Sequence, residues 1–196
     1  MSRIGILIRS ENSKSENDYY EKAIKKFGGE ITFIYDTESF SNVSKKLVNL
    51  DGILLTGGDE VGRLDFFLIE YVLEYDLKLL GICQGMQSMA LYGTNNKLIS
   101  IGDSHYNSSD YSHKVYIYDS YFRNLIKNDE ILVNSYHKQT VKDSKFFKVV
   151  GRSEDNLIEV VENSDHIFQI GVQWHPERML EYDNISNIII ERFVNI

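Results

Sequence analysis

Short apolar segments of strand length alternate with segments of helical periodicity through the first half of this chain. The apolar runs are Ile4–Ile8, Ile31–Tyr35, Gly52–Leu55 and Leu79–Ile82. Between them apolar residues recur at intervals of three and four, most clearly over residues 64–75. Because such βαβα order places successive strands parallel, it predicts an α/β fold, a three-layer sandwich with a mainly parallel central sheet flanked by helices.

The second half of the chain has a different pattern. Five short strand-like segments follow one another with little helical periodicity between them, which predicts an antiparallel extension of the sheet. These segments are Lys114–Tyr118, Ile131–Asn134, Phe147–Val150, Leu157–Val161 and Phe168–Gln173. The polar stretch over residues 95–110 is predicted as loop or as a small excursion from the sheet, and a last amphipathic helix covers residues 185–193. With no linker or repeat in view, we expect a single domain over residues 1–196.

Charge and cysteine content exclude several classes of protein. The 29 acidic and 21 basic residues give a net charge of −8, which argues against binding nucleic acid through its phosphates. No apolar run approaches the roughly 20 residues that cross a bilayer, and the N-terminus has no signal-peptide pattern. One cysteine excludes an intrachain disulfide and a multi-cysteine zinc site. We therefore expect a cytoplasmic chain without a metal and without a nucleic-acid or membrane partner; the sequence leaves the oligomeric state open.

The single cysteine lies where a predicted strand ends and a predicted helix begins. It is the centre of Gly81-Ile82-Cys83-Gln84-Gly85, and this small-residue frame permits the sharp turn of a nucleophile elbow. A thiol at a helix N-terminus is favoured as thiolate, and the Gln84 N–H would face an oxyanion formed nearby. The alternative is that Cys83 is an inert core residue, since free cysteine is often buried.

A second segment with catalytic potential, Gln173-Trp174-His175-Pro176-Glu177, follows the last apolar strand. In extended chain, residues two apart point to the same side, so His175 and Glu177 are predicted to project together. Glu177 would then orient an imidazole that serves Cys83 as base and acid. The alternative is an exposed strand end followed by a turn.

A third segment, Leu55-Thr56-Gly57-Gly58-Asp59, follows the third predicted strand. Paired glycines at the carboxyl end of a parallel strand let the backbone come close to a ligand. The Gly58 N–H is a candidate second oxyanion donor. Two glycines are also compatible with an ordinary turn.

Together, Gly81–Gln87 and Gln173–Glu177 resemble the class I glutamine amidotransferase fold, a flavodoxin-like three-layer arrangement. Within it the chain is most similar to the stand-alone γ-glutamyl hydrolases of the peptidase C26 type, including the γ-glutamyl-γ-aminobutyrate hydrolases. The segment from Val133 to Gln139, V-N-S-Y-H-K-Q, resembles that group's V-N-S-x-H-H-Q. Shorter matches begin at His113 and at Leu157, and the resemblance covers roughly residues 1–180.

The resemblance implies a cysteine-dependent γ-glutamyl hydrolase with a Cys-His-Glu triad, a small-molecule γ-glutamyl substrate as its partner and no cofactor. Cys83 is the implied nucleophile, His175 the general base and Glu177 the orienting acid. Gly58 and Gln84 are the implied oxyanion donors. The implied reaction passes through a γ-glutamyl thioester that water hydrolyses to glutamate.

The same resemblance implies the residues that hold the glutamyl group. Gln87 and the backbone of Ser135 and Tyr136 would bind its α-amino and α-carboxylate groups. His137 and Gln139 would flank this pocket.

This chain differs from the γ-glutamyl hydrolases in two features on the side of the site that would hold the leaving group. The segment between Gly58 and Asp65 is short, and Lys138 stands where the group has its second histidine. The short architecture resembles the hydrolase of γ-glutamyl-CDP-amidate in capsular phosphoramidate synthesis, which releases cytidine diphosphoramidate. Lys138, Lys114 and Arg178 are then candidate phosphate contacts.

Three other functions stay open on the sequence. A glutaminase subunit would deliver ammonia to a synthetase partner. A redox or chaperone protein of the DJ-1 type shares the elbow cysteine, but that group commonly has a histidine after it, where this chain has Gln84, and it lacks W-H-P-E. A binding module without catalysis would not need all three triad positions.

Overall fold

A single mixed sheet of nine strands forms the centre of the computed structural model, which describes residues 1–107 and 109–196. Its order is β2-β1-β3-β4-β11-β10-β9-β6-β7, and a separate two-stranded sheet pairs β5 with β8. The strands are β1 Arg3–Ile8, β2 Glu30–Tyr35, β3 Gly52–Leu55, β4 Lys78–Ile82, β5 Ile99–Ser100, β6 His113–Ile117, β7 Glu130–Val133, β8 Gln139–Thr140, β9 Lys148–Ser153, β10 Ile158–Glu162 and β11 Gln169–Val172. The helices are α1 Lys14–Lys26, α2 Phe40–Leu47, α3 Arg63–Tyr75, α4 Gln84–Leu91, α5 Tyr121–Ile126 and α6 Asn184–Asn195.

The predicted division of the sheet into a parallel and an antiparallel part is confirmed. Strands β2, β1, β3, β4 and β11 pair parallel with one another in that order. From β11 outward, β10, β9, β6 and β7 pair antiparallel. Strand β11 therefore joins the two parts, although it is the last strand in the chain.

Helices cover both faces of the sheet, as the predicted three-layer sandwich requires. Residues of α1, α5 and α6 share one buried apolar cluster with Leu54 and Leu80. Residues of α2, α3 and α4 share the other with Ile53 and Leu79. Successive residues of a strand point to opposite faces, so the near-continuous apolar runs of β3 and β4 supply both clusters.

The structure contains elements that the sequence pattern did not predict. Helix α5 has six residues and is too short to show helical periodicity; its first N–H groups donate to the Glu162 carboxylate, at 3.1 Å from Tyr121 and 2.8 Å from Phe122. The polar stretch predicted as loop contains β5, and Tyr106 forms an isolated bridge with Tyr136. In the described residues no helix combines the length and apolar character needed to cross a bilayer.

A buried ion pair ties together the loops at one edge of the sheet. Arg9 follows β1, and its guanidinium meets the Asp65 carboxylate of α3 at 2.6 Å with both side chains almost fully buried. The Arg9 Nε donates to the Thr56 carbonyl at 3.2 Å, and the Ser88 hydroxyl of α4 donates to Asp65 at 2.8 Å. These contacts connect the ends of β1 and β3 to two helices, and so they fix the loop that carries the paired glycines.

Removing one partner of this pair is expected to destabilise the fold strongly. Asp65→Ala leaves the Arg9 charge buried without a counter-ion, and we expect it to lower the free energy of unfolding by about 3–5 kcal/mol. Urea denaturation at neutral pH measures this. Glu21→Ala is the matched control, because it removes an exposed i,i+4 pair with Lys25 and should cost less than about 0.5 kcal/mol. A loss below about 1 kcal/mol for Asp65→Ala would contradict the role given to the pair.

Candidate active site

The carboxyl ends of three neighbouring parallel strands bring the candidate residues to one edge of the sheet. Leu55 of β3 lies beside Gly81 of β4, and Ile82 of β4 lies beside Val172 of β11. Strand ends in this register place the segments that follow them side by side. The glycine loop, the cysteine and the histidine therefore converge despite their separation in sequence.

The predicted elbow is present between β4 and α4. Cys83 has φ 53° and ψ −107°, a conformation that costs a non-glycine residue on the order of 1–3 kcal/mol, and its N–H donates to the Val172 carbonyl at 2.8 Å. The flanking glycines make room for this turn. A Cβ on Gly81 would lie 2.7 Å from the Gly85 carbonyl oxygen, and one on Gly85 would overlap the backbone of Leu55.

His175 and Glu177 are in contact, but the backbone is not extended as the sequence analysis assumed. His175 Nδ1 lies 2.7 Å from a carboxylate oxygen of Glu177. Residues Pro176–Arg178 form a 3₁₀ turn, and this turn brings the Glu177 carboxylate to the Nδ1 side of the His175 ring. Proline at the first position of the turn favours this geometry. The contact was predicted, but the extended geometry given as its reason was wrong.

Asn134 holds the backbone of His175 on both sides. The Asn134 amide donates to the His175 carbonyl at 2.9 Å and accepts from the His175 N–H at 2.8 Å. Both residues are buried, with Asn134 1% and His175 5% exposed. The two bonds fix the position from which the imidazole projects.

Electrostatics favour a thiolate–imidazolium pair. Burial raises the pKa of the Cys83 thiol, but the charge of the nearby His175 helps to lower it overall. Burial lowers the pKa of His175, whereas the charges of Glu177 and Cys83 raise it to about 10. At neutral pH the pair can supply both a nucleophile and a proton donor.

Backbone N–H groups near the sulfur remain free to stabilise an oxyanion. In the part of the chain that the structure describes, neither Gly58 N–H nor Gln84 N–H donates to a protein acceptor. The Gly57 N–H, in contrast, donates to the Tyr20 hydroxyl at 3.0 Å. Gly57 also packs against Cys83 and the His175 imidazole, since a Cβ there would be 3.0 Å from His175 Cε1 and 3.5 Å from Cys83 Cβ.

Two cavities meet at Cys83. The acidic cavity, of about 260 Å³, is lined by Glu11, Asn12, Glu16, Tyr20, Gly57, Gly58, Asp59, Cys83, Tyr106, Tyr136, His175 and Arg178. The histidine-side cavity, of about 460 Å³, is lined by Gly58, Asp59, Cys83, Gln87, Ser100, Tyr106, Tyr136, His137, Lys138 and Gln139. A substrate whose reacting carbon lies at the Cys83 sulfur would have one portion in each of the two cavities.

The predicted glutamyl-binding residues lie on the histidine-side cavity, with one exception. Gln87 donates to the Gln139 carbonyl at 2.9 Å and to the Gln173 side chain at 3.1 Å, and Tyr136 and His137 line the wall. Ser135 lines neither cavity, because its hydroxyl donates to the His105 carbonyl at 2.6 Å and its own carbonyl accepts the Asn107 N–H at 3.1 Å.

Only two of the three predicted phosphate contacts reach these cavities. Arg178 lines the acidic cavity with its guanidinium 4.8 Å from the centre of the Tyr136 ring. Lys138 lines the other cavity and pairs with Asp103 at 2.9 Å. Lys114 is exposed, pairs with Glu130 on the neighbouring strand and lines neither cavity.

Sequence reasoning missed three residues of this site. These residues are Tyr20, Asn134 and Gly57; Asn134 appears in the sequence pattern only as part of the V-N-S-Y-H-K-Q segment, and Gly57 only as the neighbour of Gly58. The contacts of Tyr20 and Asn134 cross 37 and 41 positions of the chain. No local pattern signals such contacts.

Comparisons with known proteins find the same fold in solved structures and similar sequences among characterised chains. A glutamine amidotransferase from Thermotoga maritima has a TM-score of 0.73 at 16% identity over 100% of this chain and 99% of its own. The glutaminase domain of CTPS from Trypanosoma brucei, with bound acivicin, has a TM-score of 0.73 at 14% identity over 99% and 91%. By sequence, γ-glutamyl-γ-aminobutyrate hydrolase from Escherichia coli O157:H7 is 28% identical over 97% of this chain and 80% of its own.

The fold is therefore that of the class I glutamine amidotransferases, with a cysteine at the elbow after β4. The sequence profile of the peptidase C26 family matches residues 60–177, which is more than half of the chain. The chain belongs to the peptidase C26 family.

The pH dependence of Cys83 alkylation tests the ion pair directly, because this is the only cysteine. The thiolate is the reactive form, so the iodoacetamide rate should reach half its maximum below pH about 8.5, the midpoint of a free thiol. His175→Ala removes the partner charge and leaves burial to act, so the midpoint should move upward. His166→Ala, which removes a half-buried histidine paired with Asp76, should leave the midpoint unchanged. A wild-type midpoint at that of a free thiol, unmoved by His175→Ala, would contradict the pair.

Proposed function

We propose that this chain is a cysteine-dependent γ-glutamyl hydrolase that cleaves the γ-glutamyl amide bond of a small conjugate. The observation that carries the proposal is the buried arrangement of Cys83, His175 and Glu177 at the edge where β3, β4 and β11 end. Membership of the peptidase C26 family and the 28% identity to a γ-glutamyl-γ-aminobutyrate hydrolase support the substrate class.

In the proposed acylation step the Cys83 thiolate attacks the γ-carbonyl carbon and forms a C–S bond. The negative charge moves to the carbonyl oxygen, which accepts hydrogen bonds from the Gly58 and Gln84 N–H groups. When the C–N bond breaks, the His175 imidazolium gives its proton to the departing nitrogen. Each oxyanion donor is worth about 10²–10³ in turnover.

In the proposed deacylation step water replaces the leaving group. The now neutral His175 takes a proton from water as the oxygen attacks the γ-glutamyl thioester. Collapse of this intermediate breaks the C–S bond, releases glutamate and restores the thiolate–imidazolium pair. Glu177 keeps Nδ1 protonated and Asn134 keeps the ring in place, so the same nitrogen serves both steps.

The two cavities suggest how a conjugate would lie. The glutamyl group would occupy the histidine-side cavity beside Gln87, Tyr136 and His137. The leaving group would then enter the acidic cavity. The candidate leaving group is the nucleotide part of γ-glutamyl-CDP-amidate, with Arg178 as its phosphate contact. Glu11, Glu16 and Asp59 line the same cavity and oppose an anion, so amine conjugates are the direct competitors.

A substrate panel on wild type and Cys83→Ala tests the reaction class. We expect wild-type enzyme to release glutamate from at least one γ-glutamyl conjugate faster than from glutamine, and Cys83→Ala to fall to the uncatalysed rate because covalent catalysis is lost. The panel is glutamine, γ-glutamylputrescine, γ-glutamyl-γ-aminobutyrate and γ-glutamyl-CDP-amidate, with glutamate quantified by chromatography. Glutamine turnover that exceeds all conjugates would favour a glutaminase subunit instead. Near-wild-type turnover by Cys83→Ala would reject the nucleophile.

Substitution of Arg178 is expected to affect a conjugate with an anionic leaving group differently from one with a cationic leaving group. Arg178→Gln should raise KM about tenfold or more for γ-glutamyl-CDP-amidate, since a hydrogen bond to a charged group is worth about 1.5–3 kcal/mol. KM for γ-glutamylputrescine should stay unchanged or fall. Lys114→Gln is the control, because Lys114 lines neither cavity. An unchanged KM for the nucleotide conjugate in Arg178→Gln would show that Arg178 does not contact its phosphates.

A further inference from the structure

Three of the five histidines of the chain are gathered around a buried carboxylate beside the histidine-side cavity. The carboxylate is Glu159 of β10, which is fully buried. Its Oε1 lies 3.7 Å from His105 Nδ1, 3.4 Å from His113 Nε2 and 3.6 Å from His137 Nε2. The proposed reaction uses none of these four side chains as acid, base or nucleophile.

The hydrogen bonds of the outer ring nitrogens determine which inner nitrogens carry lone pairs. His137 Nδ1 lies 2.9 Å from the Gln139 carbonyl, which can only accept, so this nitrogen carries a proton. His105 Nε2 lies 3.0 Å from the Asp155 carboxylate and is protonated for the same reason. The remaining nitrogens, His105 Nδ1 and His137 Nε2, face each other at 3.1 Å. Two neutral rings would oppose lone pairs there, so a cation must lie between them.

The buried carboxylate of Glu159 also requires a cation beside it. Among the residues that the structure describes, neither of its oxygens has a hydrogen-bond partner, although both are buried. A buried carboxylate requires compensation. Tetrahedral zinc with bonds of about 2.0–2.1 Å holds its ligand atoms about 3.3–3.4 Å apart, and the nitrogen and oxygen separations here are 3.1–3.7 Å.

We propose that His105 Nδ1, His137 Nε2 and Glu159 Oε1 bind one divalent metal ion. The three atoms lie within 4.8 Å of one another. Imidazole and carboxylate donors suit Zn²⁺. Zinc-bound histidines typically donate their other N–H to a carboxylate or backbone carbonyl, and Asp155 and the Gln139 carbonyl occupy those places.

The metal would have a structural role next to the catalytic site. It would link the segments that carry His105 and His137 to β10, and so fix the wall on which His137 faces the histidine-side cavity. The sequence-based expectation of no metal rested on the single cysteine. These ligands come from segments up to 54 positions apart, and no single short motif contains all three of them.

A shared proton is the competing occupant. In that case His137 carries the charge: burial lowers its pKa, but Glu159 outweighs burial and raises it. The proton and the metal satisfy the same groups, so metal binding has to be measured directly.

The experiment uses the full chain with Cys83→Ala, because Cys83 and His175 are themselves potential zinc ligands. Chelator-treated protein is titrated with Zn²⁺ against a chromogenic competitor. We expect one Zn²⁺ per chain. Adding His105→Gln should abolish this binding, and adding Asp155→Asn should weaken it about 10–100-fold. Adding His166→Gln, which changes a histidine outside the cluster, should leave the affinity unchanged.

Two results would overturn the proposal. One is the absence of Zn²⁺ binding by the Cys83→Ala chain, and the other is equal binding after His105→Gln. Should His105→Gln fail to fold, the visible absorption of Co²⁺ added to the Cys83→Ala chain decides. A four-coordinate spectrum supports the site, and the spectrum of hydrated Co²⁺ contradicts it. Because the nucleophile is absent throughout, the outcome is independent of the proposed hydrolase function.

Discussion

The placement of β11 beside β4 is the constraint on which the rest of this structure depends. Both strands are parallel and buried, and their register puts Val172 next to Ile82. The backbone bond from Cys83 N–H to the Val172 carbonyl locks the elbow to the end of the neighbouring strand. Consequently the segment that follows β11 begins at the same edge of the sheet as Cys83. The histidine comes to the sulfur because of hydrogen-bonded register, over about 90 positions of sequence.

Burying a charged group at this edge of the sheet is energetically unfavourable, and neighbouring groups of opposite charge offset the penalty. Burial raises the pKa of the Cys83 thiol, but the charge of His175 lowers it overall, and the charges of Glu177 and Cys83 raise the pKa of His175 against the effect of burial. A second ion pair, between Arg9 and Asp65, lies behind the glycine loop. The site is thus held by paired charges and by the Asn134 amide, which positions the His175 backbone without adding charge. Preorganised dipoles and charges of this kind are the usual source of transition-state stabilisation.

The sequence predicted the features that depend on local pattern. The buried strands, the change from parallel to antiparallel pairing and the turn at Cys83 follow from apolar periodicity and from the small residues Gly81 and Gly85. The short helix α5 was missed because six residues show no periodicity, and its N-terminus depends on a carboxylate from β10. The 3₁₀ turn after His175 was missed because strand alternation was carried past the end of β11. The assembly of Glu159 with His105, His113 and His137 was not predicted, because only the folded chain brings these residues together.

The most direct test of the account is to capture the acyl-enzyme. Wild-type protein is mixed with a saturating γ-glutamyl conjugate, quenched in acid within milliseconds to seconds, digested and analysed by peptide mass spectrometry. The account predicts a γ-glutamyl group on the peptide that contains Cys83 and on no other peptide, and more of it when Glu177→Gln slows deacylation. Hydrolysis of the conjugate with no adduct on Cys83 at any quench time, or an adduct on another residue, would contradict it.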